Sequence, residues 1–179
     1  MRRPSAAAGS ALFFALAPGI VAGVVPWLVT GWEVDESWWA PVRVLGAALL
    51  VAGAIMLVTA FARFVIEGLG TPAPVAPTEE LVVGGPYRYV RNVMYVAVTA
   101  AIVGQALLLG SVALLAYAAV AWAAMAAFAR WYEEPVLASR YGARYEEYRR
   151  AVPAWLPRLS GGRSPSSSPW RRGPFRRRR

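Results

Sequence analysis

Between Tyr95 and Trp131 almost every residue is apolar, and polar clusters bound the run on both sides. As a single helix it would reach ~55 Å at ~1.5 Å per residue, far beyond a hydrocarbon core of ~30 Å. The run must therefore double back. A turn near Leu109-Gly110-Ser111 makes two spans of it and returns the chain to the membrane face it left. The cluster before the run is Gly85-Pro86-Tyr87-Arg88-Tyr89-Val90-Arg91-Asn92, and the one after it is Glu133-Glu134. A hairpin brings them together. Arginines, tyrosines and two carboxylates then share one pocket mouth, which suits a zwitterionic, positively charged cofactor beside a lipid.

Composition agrees with a bilayer. Of 179 residues, 58% are hydrophobic, which is the composition of an integral membrane bundle and not of a soluble domain. The length leaves no room for a second large domain. Basic residues outnumber acidic ones, 19 to 10, and all of them are arginine. With this hydrophobicity the partner of that charge is anionic lipid, not nucleic acid, since no folded basic domain is present. Cysteine, histidine and lysine are absent. That removes thiol nucleophiles, disulfides, Cys/His zinc sites and Schiff-base chemistry, and no metal site is expected. Carboxylates, tyrosines, arginines, backbone groups or a cofactor must carry any reaction.

Along the chain, the pattern predicts an all-α membrane bundle of about four transmembrane helices. Arg2 and Arg3 precede a first apolar stretch, about 11–30. It is long for a signal peptide, lacks a small-x-small cleavage site, and reads as a retained span, kinked by Pro18 and Pro26. An acidic loop with Glu33, Asp35, Glu36, Trp38 and Trp39 follows, then a second span, about 42–62, rich in small residues. A proline-rich connector leads to Asn92, a cap for the third span, about 93–109, and the fourth covers about 111–131. From about 135 to 150, Leu137, Tyr141, Tyr145, Tyr148 and Val152 recur at helical spacing, which predicts an amphipathic cytoplasmic helix on the membrane surface over the pocket. Gly142 weakens its middle. Residues 1–159 form the membrane domain, and 160–179 form a disordered arginine-rich tail that meets anionic headgroups. Arginine asymmetry puts both termini and the connector in the cytoplasm, in what reads as a bacterial plasma membrane.

Taken singly, the pocket residues have simple explanations. Tyr87, Tyr89 and Tyr95 are interfacial anchors, and Arg88 and Arg91 are positive-inside charges. Glu133 and Glu134, however, oppose the dipole of the helix they end, which implies a partner, and Arg130 one turn earlier is a candidate.

Together these segments are more specific. Gly85 to Tyr95, Glu133-Glu134-Pro135-Val136-Leu137, and Tyr141-Gly142-Ala143-Arg144-Tyr145-Glu146-Glu147-Tyr148-Arg149-Arg150-Ala151-Val152-Pro153 resemble, in order and separation, the isoprenylcysteine carboxyl methyltransferase and phospholipid methyltransferase family. The resemblance covers roughly the second half of the chain. It implies methyl transfer from S-adenosylmethionine to a hydrophobic acceptor that enters from the bilayer. It also implies that Tyr87, Arg88, Arg91, Asn92 and Tyr95 lie along the cofactor, that Glu133 or Glu134 binds its amino group, and that Tyr145 and Tyr148 close the site. Arg130, Glu133 and Glu134 form the implied catalytic set, with Arg130 facing the substrate or the cofactor carboxylate. The chain departs from the family at Asn92-Val93, where histidine and proline are usual. Asparagine still donates and accepts hydrogen bonds but takes up no proton. A carboxylate acceptor needs no general base, whereas an amine acceptor must lose a proton, so the absence of histidine tilts the reading toward carboxyl O-methylation. The alternatives are a non-catalytic scaffold that keeps the fold, and a small transporter. Spans nearly free of ionisable residues speak against an ion path.

Overall fold

The computed structural model describes residues 16–63, 66 and 81–157. The N-terminal arginines, most of the proline-rich connector and the whole tail from 160 onward lie outside them. Five helices are described: α1 (Leu16–Thr30), α2 (Ala40–Arg63), α3 (Val93–Leu109), α4 (Val112–Tyr141) and α5 (Ala143–Ala151). No strand occurs among the described residues. Two helices, α2 and α4, are long and apolar enough to cross a membrane, and α1 and α3 are shorter apolar helices.

The exterior explains the composition. Val44, Leu45, Val51, Ile55 and Val58 stand exposed on α2, and Val120, Trp122 and Phe128 on α4. In water such a continuous apolar surface would drive association. In a bilayer it is the solvent-facing side.

The interior depends on glycine. A methyl group at Gly46 would lie 2.5 Å from the Leu108 backbone nitrogen, one at Gly53 2.8 Å from the Ala97 carbonyl oxygen, and one at Gly104 2.5 Å from the Leu50 nitrogen. Backbones of α2 and α3 therefore touch, as small residues permit between membrane helices. Leu57, Phe61, Ala97, Val98, Ile102 and Ala118 form the central core where α2, α3 and α4 meet.

The hairpin turns where the sequence put it. Gly110 ends α3 in the left-handed conformation (φ 72°) that glycine adopts without strain, and the Ser111 hydroxyl caps α4 by accepting from the Leu114 N–H. Asn92 does occupy the cap position of α3, but its side chain makes no capping bond. The last helices also differ from expectation. α4 does not stop near 131 but runs through Glu133-Glu134-Pro135 to Tyr141, and the expected single helix over 135–150 is the end of α4 plus α5. Gly142, with φ 53°, breaks the axis between them. The apolar stripe of Tyr145, Tyr148 and Val152 packs on Leu81, Val83, Leu137 and Tyr141, so the protein itself covers it.

Prolines in α1 and α4 are absorbed rather than allowed to break the helix. One wide π-type turn, Ile20–Val24, precedes Pro26, and another, Ala129–Glu133, precedes Pro135. A proline ring collides with the carbonyl four residues back, and shifting the bond to the fifth residue relieves it. The Val25 N–H thus reaches the Ile20 oxygen, and the Glu134 N–H reaches that of Ala129. Carbonyls released in α1 find partners on other helices. Gln105 donates from its side-chain nitrogen to the Ala22 oxygen at 2.8 Å, and the Tyr117 hydroxyl donates to that of Val21 at 2.9 Å. A bilayer offers no water for these groups, so neighbouring helices must supply the bonds.

Gln105→Leu and Tyr117→Phe should each lower stability by about 0.5–2 kcal/mol, the range for polar contacts between membrane helices. Gly104→Val should prevent folding, because backbone and not a flexible side chain fills the space. Thermal melts in detergent check both expectations.

Candidate functional site

At the end of the hairpin nearest the connector, the two polar clusters meet. The Arg91 guanidinium donates from Nη1 to Glu134 Oε1 at 3.1 Å and to the Tyr145 hydroxyl at 3.0 Å, and from Nε to the Val152 carbonyl at 3.1 Å. One side chain thus ties the start of α3 to α4, to α5 and to the segment beyond α5. Both partners of the ion pair are largely removed from solvent, with side-chain exposures of 12% and 13%. Such a pair persists only when further hydrogen bonds compensate its desolvation. Glu134 accepts one more from Arg130, 3.4 Å from Oε2, and Arg149 adds a longer ion-pair contact at 3.9 Å. Arg149 also reaches Glu146 at 3.6 Å. Three guanidiniums therefore lie against the carboxylates of Glu134 and Glu146.

Glu133 has different surroundings. It lies in the wide turn of α4, with its carboxyl group beside the Tyr95 hydroxyl. Among the described residues no ion pair reaches it. The extra residue in a π-type turn rotates successive side chains apart, and such turns recur at functional sites. Adjacent glutamates in sequence thereby meet opposite environments: Glu134 among arginines, Glu133 among tyrosines.

Buried tyrosines make the floor. Tyr87, Tyr145 and Tyr148 are all below 7% exposed, and the Tyr148 hydroxyl donates to the Tyr87 carbonyl at 2.7 Å. Burial raises the Tyr148 hydroxyl above the ordinary tyrosine range. Burial also raises Tyr145, against the pull of the Arg91 charge. Tyr87 is raised well above that range by burial first, then by Tyr148 and by the Glu133 charge. These hydroxyls stay protonated at any working pH; that of Tyr148 donates to the Tyr87 carbonyl and that of Tyr145 accepts from Arg91.

The residues beyond α5 complete the arrangement. The Arg91 N–H donates to the Pro153 carbonyl at 2.9 Å and the Asn92 N–H to that of Ala154 at 3.0 Å. This short strap sets Trp155 against Tyr95, with ring centroids 6.4 Å apart, and edge-on to Trp122 at 5.8 Å.

Of the expected site residues, Tyr87, Arg91, Tyr95, Arg130, Glu133, Glu134, Tyr145 and Tyr148 converge. Arg88 stands at the exposed rim, where it reaches the Gly85 carbonyl at 3.4 Å and lies over the Tyr89 ring. Asn92 takes part through its backbone. Sequence reasoning missed Arg149, Trp122 and Trp155. Arg149 looks like any surface charge of an amphipathic helix. Trp155 had one signal, an isolated aromatic between Pro153 and Pro157.

The chain matches the phospholipid methyltransferase family over residues 42–144. It is also similar to the nickel-cobalt-cadmium resistance protein NccN of Alcaligenes xylosoxydans xylosoxydans, with 32% identity over 164 residues, covering 88% of this chain and 70% of the relative. No solved structure matches it.

Arg91→Met should cost about 1–3 kcal/mol, because it leaves polar partners buried. The buried tyrosines add a pH signature. Their folded-state hydroxyls titrate above the unfolded value of about 10, so their contribution is complete below about pH 10 and declines as pH rises beyond it. Thermal melts from pH 8 to 11 should show this decline, and Tyr148→Phe should lessen it while lowering the melting point at pH 8.

Proposed function

The chain belongs to the phospholipid methyltransferase family of membrane methyltransferases, and we propose that it transfers a methyl group from S-adenosylmethionine to a lipid-like or isoprenoid-linked acceptor. The observation that carries this reading is the division of labour between the paired glutamates. Glu134 is neutralised by arginines, whereas Glu133 is a half-buried carboxyl group beside Tyr95 with no guanidinium paired to it among the described residues. A cofactor ammonium needs such a carboxylate, and a sulfonium is attracted to aromatic faces by ~0.5–2 kcal/mol. The donor set therefore fits the cofactor.

When bound, S-adenosylmethionine supplies a methyl already activated on a sulfonium sulfur. The protein then has mainly to orient the partners and exclude water. Glu133 binds the ammonium. Arg130, 66% exposed and held to Glu134 only at 3.4 Å, is available to a carboxylate. Tyr87 and Tyr95 line the cofactor, and Tyr145 and Tyr148 close the floor beneath it. Arg91 is a positioning residue: its guanidinium holds Glu134, which fixes the turn that aims Glu133. Arg88 and Asn92 remain at the rim.

For the acceptor we favour a carboxylate. A carboxylate is ionised without help. An amine acceptor would need a base, and the chain has no histidine or lysine to serve. In the bilayer we propose four crossings, α1 to α4, with both termini cytoplasmic and the site on the cytoplasmic face. The arginine-rich residues 160–179 then meet anionic headgroups. The second reading is a non-catalytic membrane protein of this fold. The likeness to a protein named for metal resistance and the Asn92-Val93 departure favour it.

Purified protein should bind S-adenosylmethionine in detergent, measured by calorimetry. Glu133→Gln should weaken binding ten-fold or more, since one charged contact contributes about 1.5–3 kcal/mol. Glu134→Gln should act mainly on the melting temperature. Absence of binding by well-folded wild type would establish the second reading. Topology is read separately: accessibility labelling should find the Arg88 loop and α5 on the same side of the membrane.

A further inference from the structure

Trp155 is placed with more care than a surface tryptophan requires. Two backbone hydrogen bonds, from the N–H groups of Arg91 and Asn92, fix the strap that carries it. Its indole lies between Tyr95 on α3 and Trp122 on α4. Exposure falls along this file of rings. Trp122 is 45% exposed on the outward face of α4, while Trp155 and Tyr95 are half-buried. Tyr95 ends the file beside Glu133. The rings thus form a continuous apolar track from the lipid-facing surface to the group that the proposed function assigns to the cofactor. Tyr95 and Trp122 fall within the residues matched by the family, 42–144, and Trp155 falls outside them. The element completing the track belongs to the part of the chain that the family match leaves undefined.

Resting on the methyltransferase reading, we infer that Trp155, with Trp122 and Tyr95, forms the acceptor's seat: the apolar stem of the acceptor lies along the indoles, and its reacting group reaches the Tyr95–Glu133 pair. Trp155 is then a specificity-determining residue. An indole offers a broad, rigid face at small entropic cost, and edge-to-face packing on Trp122 holds it upright. Apolar stems of different length or branching meet that face differently, and each methylene it covers or leaves bare changes selection among acceptors. The cofactor's polar groups, by contrast, are met by Glu133 and Arg130, and Trp155 meets that side only through the ring of Tyr95. Acceptor selection and cofactor affinity are therefore separable at this residue.

The test compares wild type with Trp155→Ala and Trp155→Phe in vesicles. Acceptors are N-acetyl-S-farnesylcysteine, N-acetyl-S-geranylgeranylcysteine and a diacyl phosphatidylethanolamine, which separate single isoprenoid stems from paired acyl chains. We expect Trp155→Ala to change the relative kcat/KM among these acceptors at least five-fold, with KM moving more than kcat. Trp155→Phe should keep the wild-type order, and the S-adenosylmethionine Kd should stay within two-fold in both. A second readout needs no turnover. A farnesylcysteine analogue with a brominated chain should quench the tryptophan fluorescence of wild type, and Trp155→Phe should remove part of that quenching. An unchanged acceptor order in folded Trp155→Ala overturns the inference, as does quenching unaffected by Trp155→Phe. If Trp155→Ala does not fold, the quenching comparison decides. A wild type that binds no S-adenosylmethionine overturns the methyltransferase reading instead, and quenching still reports on the seat.

Discussion

The ion pair between Arg91 and Glu134 closes the hairpin at its polar end. It joins residues 43 apart in sequence. Removing two charges from solvent is costly, so the pair persists because its remaining valences are filled: Tyr145 and the Val152 carbonyl on one side, Arg130 and Arg149 on the other. Those same bonds bring α5 and the strap into position. A contact that looks like local charge compensation thus fixes three separate chain segments around one point.

Proline handling is the second organising device. Pro26 and Pro135 each follow a widened turn, yet the two turns serve different ends. In α1 the released carbonyls are taken up by Gln105 and Tyr117, and the result is helix packing. In α4 the widened turn carries two acidic side chains, and the result is a separation of roles. Membrane helices tolerate such irregularity where protein, and not lipid, surrounds the freed groups. On this turn Ala129 is buried and Glu133 half-buried, while Arg130, Trp131 and Tyr132 stand exposed.

Much of the fold could be read beforehand because a bilayer restricts the choices. The length of the run from Tyr95 to Trp131 forced a hairpin, and Gly110 and Ser111 marked its turn. The ends of α3 followed from those constraints. The ends of α4 did not. Glu133-Glu134-Pro135 looks like a helix terminus by local propensity, but ion pairs to Arg91 and Arg130 stabilise the Glu134 charge, and the π-type turn accommodates the proline. The stripe of Tyr145, Tyr148 and Val152 was equally ambiguous. Its periodicity identifies an amphipathic helix but not what covers the apolar face, which here is the chain around Leu81 and Val83.

By itself, the amino-acid order settled the class of molecule and the residue types available for chemistry. Hydrophobic length and the absence of cysteine, histidine and lysine are properties of the chain alone, and no folding changes them. Which glutamate is paired with arginines, which arginine is tied up, and where Trp155 sits were decided only in three dimensions. Those outcomes depend on contacts between residues tens of positions apart, whose strength is set by burial and geometry that a linear string does not carry.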